Sequence, residues 1–308
     1  MFAASVGALL IHSIDYAGMF PPCSLELEPA LRNQAQYVRD PDAWMLGAFV
    51  LPVEKFDAAV GNLSLFDQEH PLLISALGAK TTNAGEFIAA LKIAADKIRS
   101  FSAQHVPLVS IRQLEMILPH DVGPSSLAKV GSAIEGLELQ TFLETPVDSA
   151  EKTIALLAEH NSTAGAALFG YKLRTGGVTA DAFPVSAQIA RALVAAAKQR
   201  VPIKFTAGLH HPIRQFRDEV KATMHGFLNV LGATVLAAEH EWDEQQTSAM
   251  LEEENAASFS FGDDSLAWRE WKIATDQIKA WRKLVTSFGS CSFDEPREDL
   301  RALKLLPN

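Results

Sequence analysis

The chain has 308 residues, 48% of them apolar and 21% charged, and a net charge of −10. That much apolar material excludes a disordered chain, no apolar run is long enough to span a bilayer, and the acidity argues against nucleic acid or an anionic membrane as partner. Two cysteines, Cys23 and Cys291, are too few for a disulfide framework, so a reducing cytoplasm is the expected compartment.

The apolar opening, Phe2 to Ile11, has no basic residue before it and Asp15 soon after, so it reads as a first structured element rather than a secretory signal. From there, strand-length apolar runs alternate with stretches of helical spacing. Trp44 to Pro52 precedes Val53 to Leu63, Pro71 to Gly78 precedes Asn83 to Phe101, and Leu108 to Pro119 precedes Ser125 to Gly136. Leu139 to Thr145 then precedes Ser149 to His160. Ala164 to Tyr171 leads through KLRTGG to Pro184 to Arg200, and Val201 to Gly208 leads through a His-rich loop to a helix near Thr223 to Ala238. Glu239 to Glu254 is strongly acidic, and Trp268, Trp271 and Trp281 follow at helical spacing. Two readings of this stretch stand. One is a solvated acidic face and an amphipathic helix burying its tryptophans; the other is a lid or subunit contact over a barrel mouth, which leaves a homo-oligomer open. A strand-like Ser287 to Phe293 and a short helix, Arg297 to Leu305, complete the chain.

Repeated β-then-α units need crossovers, hence a mostly parallel sheet covered on its faces. The first unit has no GxGxxG turn, Pro and Gly follow the strands, and charged residues sit at several strand ends. These features favour a closed barrel over a doubly wound open sheet. The expectation is one (β/α)8 TIM-barrel domain over residues 1–308, with an α-helical, acidic and Trp-rich insertion at about 239–286.

Lys172 ends an apolar strand, where alternation aims it into the barrel or at its mouth. A desolvated lysine loses its proton more readily, and a neutral amine attacks carbonyl carbon to form an imine. Lys204 lies in VPIKFTAG on the next strand. Side by side, the two ammonium groups would disfavour each other's charge and prepare one of them as a nucleophile. Glu115 in LEMILP, Glu144 in FLETP and Asp15 in SIDYAG interrupt apolar strands in the same way, as proton shuttles or as ion-pair partners. Gly176 and Gly177, with Ser290 and Ser292 near the last strand, offer backbone N–H groups of the kind that bind anions. His210, His211 and His225 lack HxH or HExxH spacing, so neither a metal nor another cofactor is expected.

The runs ETPVDSAEKTIALLAEHNSTAGAALFGYKLRTGG and VTADAFPVSAQIARALVAAAKQRVPIKFTAG together resemble the class I 2-deoxyribose-5-phosphate aldolases. In that family a Schiff-base lysine ends a strand within a KTSTG-type turn, and a second lysine follows on the next strand in a KxAGG-type turn. The resemblance implies Lys172 as the imine-forming residue and Lys204 as the group that lowers its pKa. It also implies Glu115, one methylene longer than the family's aspartate, and Asp15 as the proton relay, and SFGSCS as a phosphate loop. The chain departs from the family at Arg174, where a small hydroxyl residue is usual, and at AGLHH, where a second glycine is usual. Arg174, His210 and His211, with Gly208 and Glu144, are therefore expected to bind a carboxylate or a differently placed phosphate.

The leading expectation is a class I, metal-independent aldolase-like lyase acting on a small anionic aldehyde or ketone. One alternative is an anion-binding transferase of phosphoribosyltransferase type, using Lys172, Arg174 and Lys204 electrostatically with Glu144. A third is a barrel that binds a ligand without turnover or serves a partner subunit.

Overall fold

Eight parallel strands close into a barrel in chain order. They are β1 (Ile14–Tyr16), β2 (Leu46–Pro52), β3 (Leu72–Leu77), β4 (Val109–Ile117), β5 (Gln140–Glu144), β6 (Phe169–Arg174), β7 (Ile203–Thr206) and β8 (Val285–Ser290). Pairing of β1 with both β2 and β8 closes the ring, so the chain forms a (β/α)8 TIM barrel. The computed structural model describes residues 2–164 and 169–307. Of the strand expected from Ala164 to Tyr171, Ala164 instead ends the helix Ala150–Ala164, residues 165–168 lie outside the described residues, and the remainder belongs to β6.

Eleven α-helices are present among the described residues: α1 (Ala4–Leu10), α2 (Leu27–Tyr37), α3 (Phe56–Ala59), α4 (Ala84–Gln104), α5 (Pro124–Ile134), α6 (Ala150–Ala164), α7 (Ser186–Gln199), α8 (Phe227–His240), α9 (Glu244–Leu251), α10 (Thr275–Trp281) and α11 (Asp294–Ala302). Local chemistry sets their starts. Asn83 accepts from the Glu86 backbone N–H at 3.0 Å ahead of α4, Pro124 opens α5, and Asp243 and Gln246 form a reciprocal capping box on α9. The segment Val53 to Leu63 is less regular than its spacing implies. It is the single turn α3 flanked by 3₁₀ turns.

Along the strands the pleat sends alternate side chains outward to the helices and inward to the lumen. Leu114 and Met116 alternate with Gln113 and Glu115 on β4, and Tyr171 and Leu173 with Lys172 on β6. The outward set forms one core with the helices. No helix among the described residues is long and apolar enough to cross a membrane.

The insertion is not α-helical, as its tryptophan spacing predicts, but mixed. Phe259–Phe261, Ser265–Trp268 and Trp271–Ala274 make a three-stranded antiparallel sheet, followed by α10. Trp268 pairs directly with Trp271 across the two-residue turn Arg269-Glu270, with Arg269 at φ 52°. A tight hairpin thus reproduces the three-residue interval that reads as helical in the sequence. One turn of the insertion lies away from the mouth, while Glu254 reaches Arg214 in the segment after β7 at 3.1 Å. The turn is Gly262–Asp263, which bonds the first turn of α1, through Ser5 N to Gly262 O at 3.1 Å and Ala4 N to Asp263 Oδ1 at 3.0 Å, and α1 leads into the opposite end of the barrel. The physical reason for the insertion's packing lies in α8, which is buried from Phe227 through Ala237. A helix apolar all round needs cover on its outer side, and α9, the small sheet and α10 supply it. The expected helix near Thr223 starts only at Phe227, because Ala222–Met224 pairs with Gln215–Arg217 in a short hairpin.

Candidate active site

Register places Glu144, Lys172 and Lys204 side by side on β5, β6 and β7. All three point inward; Glu144 ends β5 and Lys172 lies two residues short of the end of β6, toward the face where barrel enzymes hold their chemistry. Lys172 Nζ lies 2.8 Å from Glu115 Oε2 and 2.9 Å from Glu144 Oε2. The second Glu144 oxygen accepts from Arg174 Nε at 3.1 Å. Lys204 sits deeper, at 1% exposure against 6% for Lys172. Its Nζ pairs with Asp15 Oδ2 at 2.7 Å, donates to Ser75 Oγ at 3.2 Å, and also contacts Glu115 Oε1 and Gln113 Oε1.

The outcome is a continuous chain, Arg174–Glu144–Lys172–Glu115–Lys204–Asp15, with three cations facing three carboxylates. Buried charges persist only when paired and hydrogen-bonded, and this alternation meets the requirement. Asp15 is held from two further sides, by Ala48 N at 2.6 Å and Ser287 Oγ. Gly47 is required beside it, since a Cβ there would lie 2.3 Å from Asp15 Oδ1.

The protonation balance corrects one expectation. Lys172 and Lys204 do not confront each other, because Glu115 stands between them and gives each lysine one oxygen. Burial disfavours the Lys172 ammonium, but Glu115 and Glu144 outweigh it, and the Lys172 pKa is raised rather than lowered. Burial likewise opposes ionisation of Glu115, yet Lys172 and Lys204 hold its carboxyl far below the usual range. Glu144 follows the same pattern, with burial overcome by Lys172 and Arg174. In this state every member of the chain that shifts does so toward its charged form.

The β6 and β7 loops meet at the mouth. Thr175 N donates to Thr206 O at 2.9 Å, and Thr175 Oγ1 donates to Ala207 O. Gly176 and Gly208 touch backbone to backbone, and a Cβ on either would lie 2.8 Å from the Cα of the other. Gly208 also has φ +78° and follows Ala207 at φ 61°, so the β7 loop turns through two left-handed residues. Gly177 packs on Ala182. These glycines thus have a packing role that the turn chemistry alone did not disclose.

Three further expected residues, His210, His211 and Ser292, fall in a second cluster. His210 Nδ1 lies 3.1 Å from Glu295 Oε2, and His211 Nδ1 lies 2.7 Å from Asp299 Oδ2, so both imidazoles turn to α11. Ser292 Oγ accepts from Glu295 N at 3.1 Å and helps start that helix. Ser290 is buried at the end of β8, and its carbonyl accepts from Ala17 N at 2.7 Å. His225 Nε2 donates to Pro184 O at 2.8 Å. Among the described residues, no group of three His, Cys, Asp or Glu side chains is arranged to hold a metal ion.

Ser75, Gln113 and Ser287 belong to the site but were not singled out in the sequence. Their signal is a polar residue at an inward position of LLISAL, IRQLEMI and VTSFGS, weaker than a charge because small polar residues also occupy outward positions. Compared with models of known protein families and with curated protein sequences, the chain matches none.

Proposed function

We propose that this barrel is a class I aldolase-type lyase that forms an imine between Lys172 and a small anionic aldehyde or ketone. The observation that carries the reading is the placement of Lys172: at the mouth, on a strand end, between two carboxylates at 2.8 and 2.9 Å. Glu115 and Glu144 both stand within reach of the proton that the ammonium must give up before it attacks. The neutral amine then adds to the carbonyl carbon, and the carboxylic acid just formed returns its proton to the departing hydroxyl, which leaves as water. The resulting iminium takes up the electron pair of the bond between its α and β carbons as an enamine, while the β-hydroxyl gives its proton to a carboxylate and that fragment leaves as an aldehyde. The carboxylic acid so formed protonates the α carbon, and hydrolysis of the restored iminium frees Lys172.

Lys204 is a positioning residue in this scheme. It helps keep Glu115 ionised and holds both Glu115 and Asp15 in place. Arg174, with its side chain 50% exposed beside the lysine, is the group suited to the substrate's anionic end. Borohydride reduction in the presence of small aldehydes and 2-oxo acids tests the reading. A reduced adduct mapped to Lys172 supports it, and an unmodified Lys172 at saturating carbonyl overturns it.

One observation favours a second reading, the transferase without an imine: Lys172 is held as an ammonium between two carboxylates. Lys172→Arg separates the two, since an electrostatic role survives in part with arginine whereas an imine cannot form on it.

A further inference from the structure

The two cysteines of the chain lie on loops that the barrel's closure brings together. Cys23 follows β1, Cys291 directly follows β8, and their sulfurs are 3.0 Å apart although 268 positions separate them in sequence. Both loops are pinned by backbone bonds. Ala17 N donates to Ser290 O at 2.7 Å, Leu25 N to Gly18 O at 2.9 Å, and Ser24 N to Phe20 O at 3.0 Å. The two thiols differ in access: Cys23 is exposed and Cys291 is buried. Burial, the contact with Cys23 and the Glu295 charge push the Cys291 thiol up to about 12, so it is not the point of entry for an external oxidant.

We infer that Cys23 and Cys291 form an oxidisable pair in which Cys23 reacts with a low-molecular-weight disulfide and Cys291 resolves the product into an intrachain disulfide. In the first step the Cys23 thiolate attacks one sulfur of the small disulfide, and the other sulfur leaves as a thiolate. In the second step the Cys23 thiol that raised the Cys291 pKa is bound in the mixed disulfide; Cys291 attacks Cys23 Sγ, breaks that bond and releases the second small thiolate, which carries away the Cys291 proton. Two protein thiols are thereby oxidised by two electrons, and one small disulfide is reduced to two thiols. The pinned loops hold Cys291 against the mixed disulfide, so the second step is intramolecular and outcompetes attack by a second chain. The bond would tie the start of the β8 loop, with Ser290 and Ser292, to the β1 loop at the rim of the mouth. The inference does not depend on the imine reading.

The test incubates the reduced, folded, full-length chain with glutathione disulfide, alkylates free thiols and maps peptides under non-reducing conditions. The expected result is loss of both thiols together, a Cys23–Cys291 linked peptide, a monomeric product and reversal by dithiothreitol. Cys291→Ser should stop at glutathione on Cys23, and Cys23→Ser should leave Cys291 unmodified until the chain is unfolded. A wild-type chain that keeps glutathione on Cys23 while Cys291 is still alkylated after unfolding, or that gives a Cys23-linked dimer, overturns the inference. So does a Cys23→Ser chain whose Cys291 reacts in the folded state as fast as Cys23 does.

Discussion

Glu115 divides its carboxylate between two lysines, and its Oε2 lies 2.8 Å from Lys172 Nζ. Because Glu115 comes from β4 and Lys204 from β7, this one side chain spans the lumen and ties opposite walls of the barrel together.

Removing that shared charge should be costly. Glu115→Gln leaves two buried ammonium groups with one carboxylate fewer, and breaking a buried pair on one side costs about 3–5 kcal/mol. Urea denaturation should show the loss as a lower midpoint. A midpoint within error of the wild type would mean that the chain of charges contributes nothing to stability.

Lys172→Met should abolish borohydride trapping and lower stability, since Glu115 and Glu144 lose their common partner. Adding Glu144→Gln to that variant should recover part of the stability without restoring trapping. Trapping that persists in Lys172→Met would place the imine, if any, on another amine.

The pH dependence follows from the directions of the shifts. Glu115 and Glu144 are depressed, so their contribution is complete above the unfolded carboxylate value of about 4.3 and is lost as pH falls through their lower folded values. Lys172 is raised, so its contribution is complete below the unfolded lysine value of about 10.4 and is lost as pH rises through its higher folded value. Stability measured by urea unfolding should therefore fall off in acid, and less steeply in Glu144→Gln. Parallel acid limbs in the two proteins would contradict the Glu144 assignment.

Arg174→Ala separates binding from folding. Its side chain is half exposed, so the Glu144 contact should be worth no more than about 1 kcal/mol to stability. If Arg174 receives the substrate's anion, KM should rise at least about tenfold for anionic carbonyl compounds, the equivalent of about 1.4 kcal/mol, and stay nearly unchanged for neutral ones. Equal effects on both classes would argue against that role.

The insertion offers a contrast. Trp242 is fully buried against Trp268 and Trp271. Trp242→Ala should cost about 3–5 kcal/mol and leave borohydride trapping at Lys172 intact in the folded fraction. Loss of trapping with stability unchanged would favour the lid reading of this segment.

Much of this was legible in the residues. Charges inside apolar strands, at Asp15, Glu115, Glu144, Lys172 and Lys204, are conspicuous because burial makes them expensive, and all five meet in one chain. Trp268 and Trp271 were misleading because a two-residue hairpin turn and a helical turn both bring residues three apart together. His210 and His211, expected at a substrate anion, instead pair with Glu295 and Asp299, which stand more than eighty positions later and give no local signal. Cys23 and Cys291 are farther apart still, and counting cysteines says nothing about whether two sulfurs touch.

The alternation of apolar runs and helical stretches determined the barrel, and the pleat determined which side chains face its lumen. Only the tertiary structure decided how those side chains pair. Closure of the ring sets β1 beside β8 and aims β4 across at β7, so Glu115 comes between the lysines and Lys172 is held charged. Charge coupling depends on separation and burial in space, and neither is carried by order along the chain.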